Sequence, residues 1–150
     1  MQNRRETLKQ SAVVAGLLAT AGFPQFAQAY NNAAFQAKTA QDVVKAMGGS
    51  TLAESKDVTI GGPDIAENGA VVPLKVSSTL AGVKQMLVLV EKNPAAMVGF
   101  FNVTDAVEAS FAVRAKMGQS SDVYAVAIMN DGKAFYAKKE VKVTLGGCGG

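Results

Sequence analysis

From residue 57 onward, apolar and polar positions alternate with a period of two. The stretch 110–117 puts Phe111, Val113, Ala115 and Met117 on one face and Arg114 and Lys116 on the other, the pattern of a half-buried strand. Valine- and isoleucine-rich segments recur between turn signals at 57–60, 70–77, 85–91, 97–103, 122–130 and 135–145, so that seven strands are predicted. Asn130-Asp131-Gly132-Lys133 holds an Asp-Gly turn pair and predicts a hairpin between the last two. Pro73 lacks a ladder donor, which predicts an edge position or a bulge in its strand.

Before residue 50 the period is helical. Ala40, Val43, Val44 and Met47 stand at i, i+3, i+4 and i+7, one apolar face of a short helix within 35–50. Thr39 is its expected N-cap, Asp42 favours the positive end, and Gly48-Gly49 is the expected stop. The element pattern predicts an all-β, immunoglobulin-like antiparallel β-sandwich with a short N-terminal helix and a flexible C-terminal arm. An open barrel is the alternative. There is no Cys–Trp–Cys pin of the antibody type, no internal repeat and no heptad pattern.

The first 29 residues follow neither period. Arg4-Arg5 precedes Leu8 and Lys9, an apolar run extends from Ala12 to Gly22, Pro24 breaks it, and Ala27-Gln28-Ala29 offers a small-x-small cleavage site. The run is about half the roughly 20 residues of a membrane-spanning helix. Thr7 departs from the usual pattern by standing where a strong hydrophobic residue is common. This order predicts a twin-arginine signal peptide over 1–29, removed to leave Tyr30 first, and export of the folded chain to a bacterial periplasm without stable membrane insertion. A sandwich domain is expected over 30–145 and an arm over 146–150. In that compartment the sequon-like Asn102-Val103-Thr104 carries no weight.

Composition narrows the chemistry. The 150 residues are 49% hydrophobic and 18% charged, which suits one globular domain. The formal charge is +3, but Arg4, Arg5 and Lys9 against Glu6 account for +2 of it, leaving +1 for residues 30–150. No basic stripe points to nucleic acid. Histidine is absent, which excludes Ser-His-Asp and Cys-His catalysis and any histidine-bound metal within the chain. A single cysteine can form neither an internal disulfide nor a cysteine-rich metal site. No cofactor and no catalytic residue is expected.

Other candidates are weak. The glycine-rich stretch 60–70 lacks the spacing of a phosphate loop and does not lead into a helix, so it is read as a turn between strands. Asp57, Asp64, Glu67, Asp105, Glu108, Asp122 and Asp131 fall near strand ends and are read as solvated loop charges rather than an acid/base pair. Lys138 and Lys139 are read as an exposed strand face rather than a recognition patch.

What remains is the tail, Thr144-Leu145-Gly146-Gly147-Cys148-Gly149-Gly150. Five residues after Leu145 span at most about 17 Å, which lets the sulfur reach roughly 10 Å beyond the last strand. Gly146, Gly147, Gly149 and Gly150 set minimal bulk beside the thiol and permit nearly any backbone conformation. An unpaired, exposed thiol in an exported protein oxidises or cross-links, so an incidental one is disfavoured. Nothing nearby activates Cys148, which suits a carrier handled by other enzymes better than a nucleophile in its own active site.

The twin-arginine pattern, residues 65–76 (Ile-Ala-Glu-Asn-Gly-Ala-Val-Val-Pro-Leu-Lys-Val), the hairpin at 130–133 leading into 140–145, and the terminal Gly-Gly-Cys-Gly-Gly together resemble the SoxY family of periplasmic sulfur carriers. The resemblance implies an immunoglobulin-like sandwich that forms a heterodimer with SoxZ. It implies that Cys148 bears the intermediates of thiosulfate oxidation on an arm made by the four glycines. The partners it implies are a c-type cytochrome that joins thiosulfate to the thiol, a hydrolase that releases sulfate, and a molybdenum/haem sulfane dehydrogenase. The cofactors belong to those partners. Two other readings stay open: a ubiquitin-like carrier using a C-terminal thiocarboxylate, and a structural sandwich whose thiol forms an intermolecular disulfide.

Overall fold

The computed structural model describes residues 32–144; the predicted signal residues Arg4, Arg5, Ala27 and Ala29 and the predicted arm over 146–150 lie outside them. Two short helices open the described chain, α1 (Asn32–Gln36) and α2 (Ala40–Ala46). The expected cap is in place. Thr39 is extended (φ −115°, ψ 152°), and its hydroxyl oxygen accepts the Asp42 amide at 3.2 Å. At the other end the Gly48 amide donates to Lys45 O and the Gly49 amide to Val44 O, with Gly48 at φ +82°. This crossed pair of bonds is the Schellman closure that the two glycines predict. Thr39→Ala is expected to destabilise the fold by about 1 kcal/mol in thermal or chemical melts. The five residues of α1 have no counterpart in the sequence reading. Without an acidic first turn, α1 is held by packing, with Ala34 buried and Phe35 edge-on to Phe100 at 6.4 Å.

Nine strands follow among the described residues: β1 (Leu52–Glu54), β2 (Val58–Gly61), β3 (Ile65–Ala66), β4 (Val72–Ser78), β5 (Val83–Val90), β6 (Met97–Asn102), β7 (Ser110–Ala115), β8 (Ser121–Met129) and β9 (Ala134–Val143). One sheet has the order β1–β9–β8–β5–β6, with β3 also beside β9; the other is β2–β4–β7. The seven predicted strands are all present and form two packed sheets. The two additional ones, β1 and β3, both run parallel to β9 and pair with its opposite ends.

The core has two parts because the larger sheet is covered on both sides. Met86, Val88 and Val90 of β5 and Val123, Ala125 and Ala127 of β8 meet Val72, Leu74 and Val76 of β4 between the sheets. Leu87, Leu89, Val126 and Ile128 point the other way, against Ala34, Ala40, Val43 and Val44 of the helices. Burial on both faces explains why β5 and β8 read as nearly unbroken apolar runs, whereas β4 and β7, with one face open to water, alternate.

Pro73 lies on the middle strand of its sheet, yet it occupies a local edge. The last paired residue of β2, Gly61, faces Lys75, so Pro73 is paired only with Arg114 of β7. The β8–β9 hairpin forms at the predicted turn, with Gly132 at φ +85° and the Met129 amide bonded to Lys133 O at 2.8 Å. Among the described residues no non-glycine residue has positive φ, and the turn is a three-residue loop with glycine in the left-handed position.

Candidate functional site

The described chain reaches Thr144, at the end of β9, four residues before Cys148 in the sequence. β9 is the longest of the described strands, and its last residues are gripped at three points. The Lys142 amide donates to Asp64 O at 2.9 Å and the Thr144 amide to Ala66 O at 3.1 Å, the ladder that makes β3. From the other side the Val143 amide donates to the Ser120 hydroxyl at 2.9 Å. The third grip is a close approach by Gly69. Its carbonyl accepts the Met117 amide at 2.7 Å, and a Cβ at this position would lie 2.3 Å from Met117 O and 2.8 Å from Val143 Cγ1. Asn68 shapes that turn by accepting the Ala70 amide on its side chain at 2.9 Å. The 64–69 stretch is therefore a collar beside the end of β9, with buried Ala66 inside and Ile65 56% exposed outside.

Lys139 ties this collar to the sheet. Its ammonium donates to Gly62 O at 2.6 Å and to Asp64 Oδ1 at 2.8 Å, spanning a sequence separation of more than seventy residues. The Lys139 hydrogen bond and positive charge hold the Asp64 carboxyl below its ordinary range. A carboxylate with a depressed folded value supports the fold above its unfolded value, and that support is lost as pH falls through the depressed one. The pair is exposed on the Asp64 side, so its contribution is modest. Acidification below the normal carboxylate range, or Lys139→Met at neutral pH, is expected to raise hydrogen exchange at the Lys142 and Thr144 amides before the core amides respond.

The other sequence candidates disperse. Asp122 pairs with Lys138 at 3.3 Å and Asp131 with Lys133 at 3.3 Å, while Asp57 accepts the Thr79 hydroxyl at 3.4 Å. Glu67, Asp105 and Glu108 are exposed. Among the described residues no group of three or more acidic, histidine or cysteine side chains is placed to hold a metal. Lys138 is an exposed strand residue as read, but Lys139 is structural. Sequence reasoning missed Lys139, Ser120 and Gly69 because their partners lie far along the chain. The Asn68-Gly69 pair was the one local signal of a special turn.

The family model for the sulfur oxidation protein SoxY matches residues 43–148, from within α2 through Cys148. The chain belongs to the SoxY family. A solved structure of the sulfur carrier protein SoxY from Chlorobium limicola f thiosulfatophilum is 32% identical, with a TM-score of 0.63 over 69% of this chain and 94% of that one. The SoxY sandwich also shares its fold with a superoxide reductase (neelaredoxin) from Ignicoccus hospitalis, which is 20% identical with a TM-score of 0.52 over 58% of this chain and 80% of that one. No curated protein matches the sequence.

Proposed function

We propose that this protein is a covalent, non-catalytic carrier of sulfur intermediates in thiosulfate oxidation, with Cys148 as the attachment point and Gly146, Gly147, Gly149 and Gly150 as the arm that presents it. The observation that carries the reading is the family match extending through Cys148, the only thiol in a chain that contains no histidine. The anchored end of β9 supports it physically, because a fixed root and a short glycine-rich tether confine the thiol to a small volume around one point. Confinement raises its effective concentration at any enzyme docked there.

The chemistry is carried by partners. The Cys148 thiolate and thiosulfate together give up two electrons to a c-type cytochrome as a new S–S bond forms. A hydrolase then adds water across the terminal bond and releases sulfate, leaving the inner sulfur on the cysteine. A sulfane dehydrogenase oxidises that sulfur where such an enzyme is present. SoxZ is the heterodimer partner in this scheme. The 1–29 segment directs the folded chain through the twin-arginine route to the periplasm, with cleavage after Ala29.

The test is adduct mapping after incubation of the purified protein with thiosulfate and the oxidising cytochrome. A sulfur adduct on the C-terminal peptide of the wild type, absent from Cys148→Ser, is the expected result. An adduct that persists in the variant assigns the sulfur to a terminal thiocarboxylate instead. A stable disulfide-linked homodimer without any adduct assigns Cys148 a structural role.

A further inference from the structure

The three strands of the smaller sheet, β2, β4 and β7, carry two charged residues between them, Lys75 and Arg114, and both are positive. They alternate with buried Leu74, Val76 and Ala115, so both are exposed on the face turned away from the core. Lys75 stands opposite Ala112 and Arg114 opposite Pro73, which makes the two cations diagonal neighbours about 7 Å apart along the backbone. On β9, by contrast, Lys138 is matched by Asp122 at 3.3 Å and Lys139 by Asp64 at 2.8 Å. Among the described residues Lys75 and Arg114 have no carboxylate within ion-pair distance. Two like charges side by side, on strands without an acidic residue, make a positive field that the described chain leaves unneutralised.

The two cations line an open groove of about 800 Å³. Facing them is bare backbone. β2 ends at Gly61 against Lys75, and Gly62 lies so close to β4 that a Cβ would stand 2.9 Å from Leu74 Cδ2 and 3.3 Å from Pro73 O. Pro63, Pro73 and Val113 add apolar surface, and among the described residues no carboxylate lines the groove. The lining thus combines ammonium and guanidinium donors with an apolar wall. The same backbone is tied to the end of β9, since Gly62 O accepts the Lys139 ammonium at 2.6 Å and Asp64 O the Lys142 amide at 2.9 Å.

We propose that this groove binds the free thiosulfate ion, its sulfonate oxygens on Arg114 and Lys75 and its terminal sulfur against the apolar wall. The guanidinium fork matches a pair of oxyanion oxygens, and the ammonium adds a point charge beside it. The large, polarisable terminal sulfur loses less hydration on an apolar surface than an oxygen does, so the wall favours thiosulfate over sulfate. An ion held here is concentrated beside the end of β9 ahead of the joining step. The choice of anion rests on the sulfur-carrier reading; the cation pair and the groove do not.

Thiosulfate titration of the full-length chain carrying Cys148→Ser, followed by amide chemical shifts at constant ionic strength, tests the proposal. That variant has no thiol to form an adduct, so any response comes from the free ion. Saturable shifts are expected at the Gly61, Gly62, Lys75 and Arg114 amides, with sulfate binding more weakly and chloride showing no saturation. Lys75→Gln combined with Arg114→Gln is expected to weaken binding about tenfold with unchanged circular dichroism, and Lys75→Arg to retain it. No saturation, a response centred elsewhere, equal binding by the double glutamine variant, or sulfate binding as tightly as thiosulfate would each overturn the proposal. The outcome is separable from adduct mapping. An adduct on Cys148 without binding here removes only the groove, and binding here without an adduct removes only the carrier assignment.

Discussion

Cells whose only copy of this protein carries Cys148→Ser are expected to lose thiosulfate-dependent electron flow completely, while the purified variant melts with the wild type. The loss is total rather than partial because no second thiol and no histidine can substitute. Serine keeps the size of the side chain, but its hydroxyl is not ionised near neutral pH and forms no S–S bond, so neither the oxidative joining nor the subsequent retention of sulfur can occur. The melt is expected to be unchanged because serine is close to cysteine in size and the core is built by the helices and the two sheets within 32–144. Oxygen uptake with thiosulfate as sole electron donor measures the first half of the expectation, and a chemical melt the second. Undiminished uptake would remove Cys148 from the pathway.

The second large effect is expected at Gly69. A methyl group placed 2.3 Å from the Met117 carbonyl oxygen and 2.8 Å from Val143 Cγ1 cannot be accommodated by rotating a side chain, since the nearer atom is backbone. Either the 65–70 segment must move away from β9 or the loop at Met117 must give way, and both lose hydrogen bonds around the end of β9. Gly69→Ala is expected to cost about 3 kcal/mol in a denaturant titration. Amide exchange should rise most at Lys142, Val143 and Thr144. A variant as stable as the wild type, with protected amides at those positions, would show that the collar does not hold the end of β9.

These effects separate what local sequence encodes from what it leaves to tertiary contact. The cap at Thr39, the closure at Gly48-Gly49 and the hairpin at 130–133 were legible because each is complete within a few residues. The one-sided strands β4 and β7 were legible for a related reason: alternation at Val72, Leu74, Val76 or at Phe111, Val113, Ala115 records which face meets the core. β5 and β8 were recognisable as strands, but their near-continuous apolar runs did not reveal that a helical layer covers the second face. Pro73 correctly signalled a missing ladder bond without indicating that its strand lies centrally and is only locally an edge. β3 was out of reach, being two residues long and defined by partners on β9 more than seventy positions away. Lys139 illustrates the same limit, since its neighbours on the strand present it as a surface charge while its ammonium closes a distant loop.

The candidate site divided in the same way. Cys148 stood out through what the rest of the chain lacks, a chemical argument that needs no coordinates. The collar of Ala66, Gly69 and Ser120 became visible only once β9 was seen between β3 and the 117–120 segment, because each contact joins residues that are distant in sequence.

The most direct measurement of the central claim is the mass of the C-terminal peptide in protein taken from thiosulfate-grown cells and quenched without reductant. The account predicts a population with added sulfur or sulfonate on Cys148 that reductant removes and that disappears when thiosulfate is withheld. A C-terminal peptide found only as the free thiol, or only as a disulfide to a second copy, in cells actively oxidising thiosulfate would contradict it.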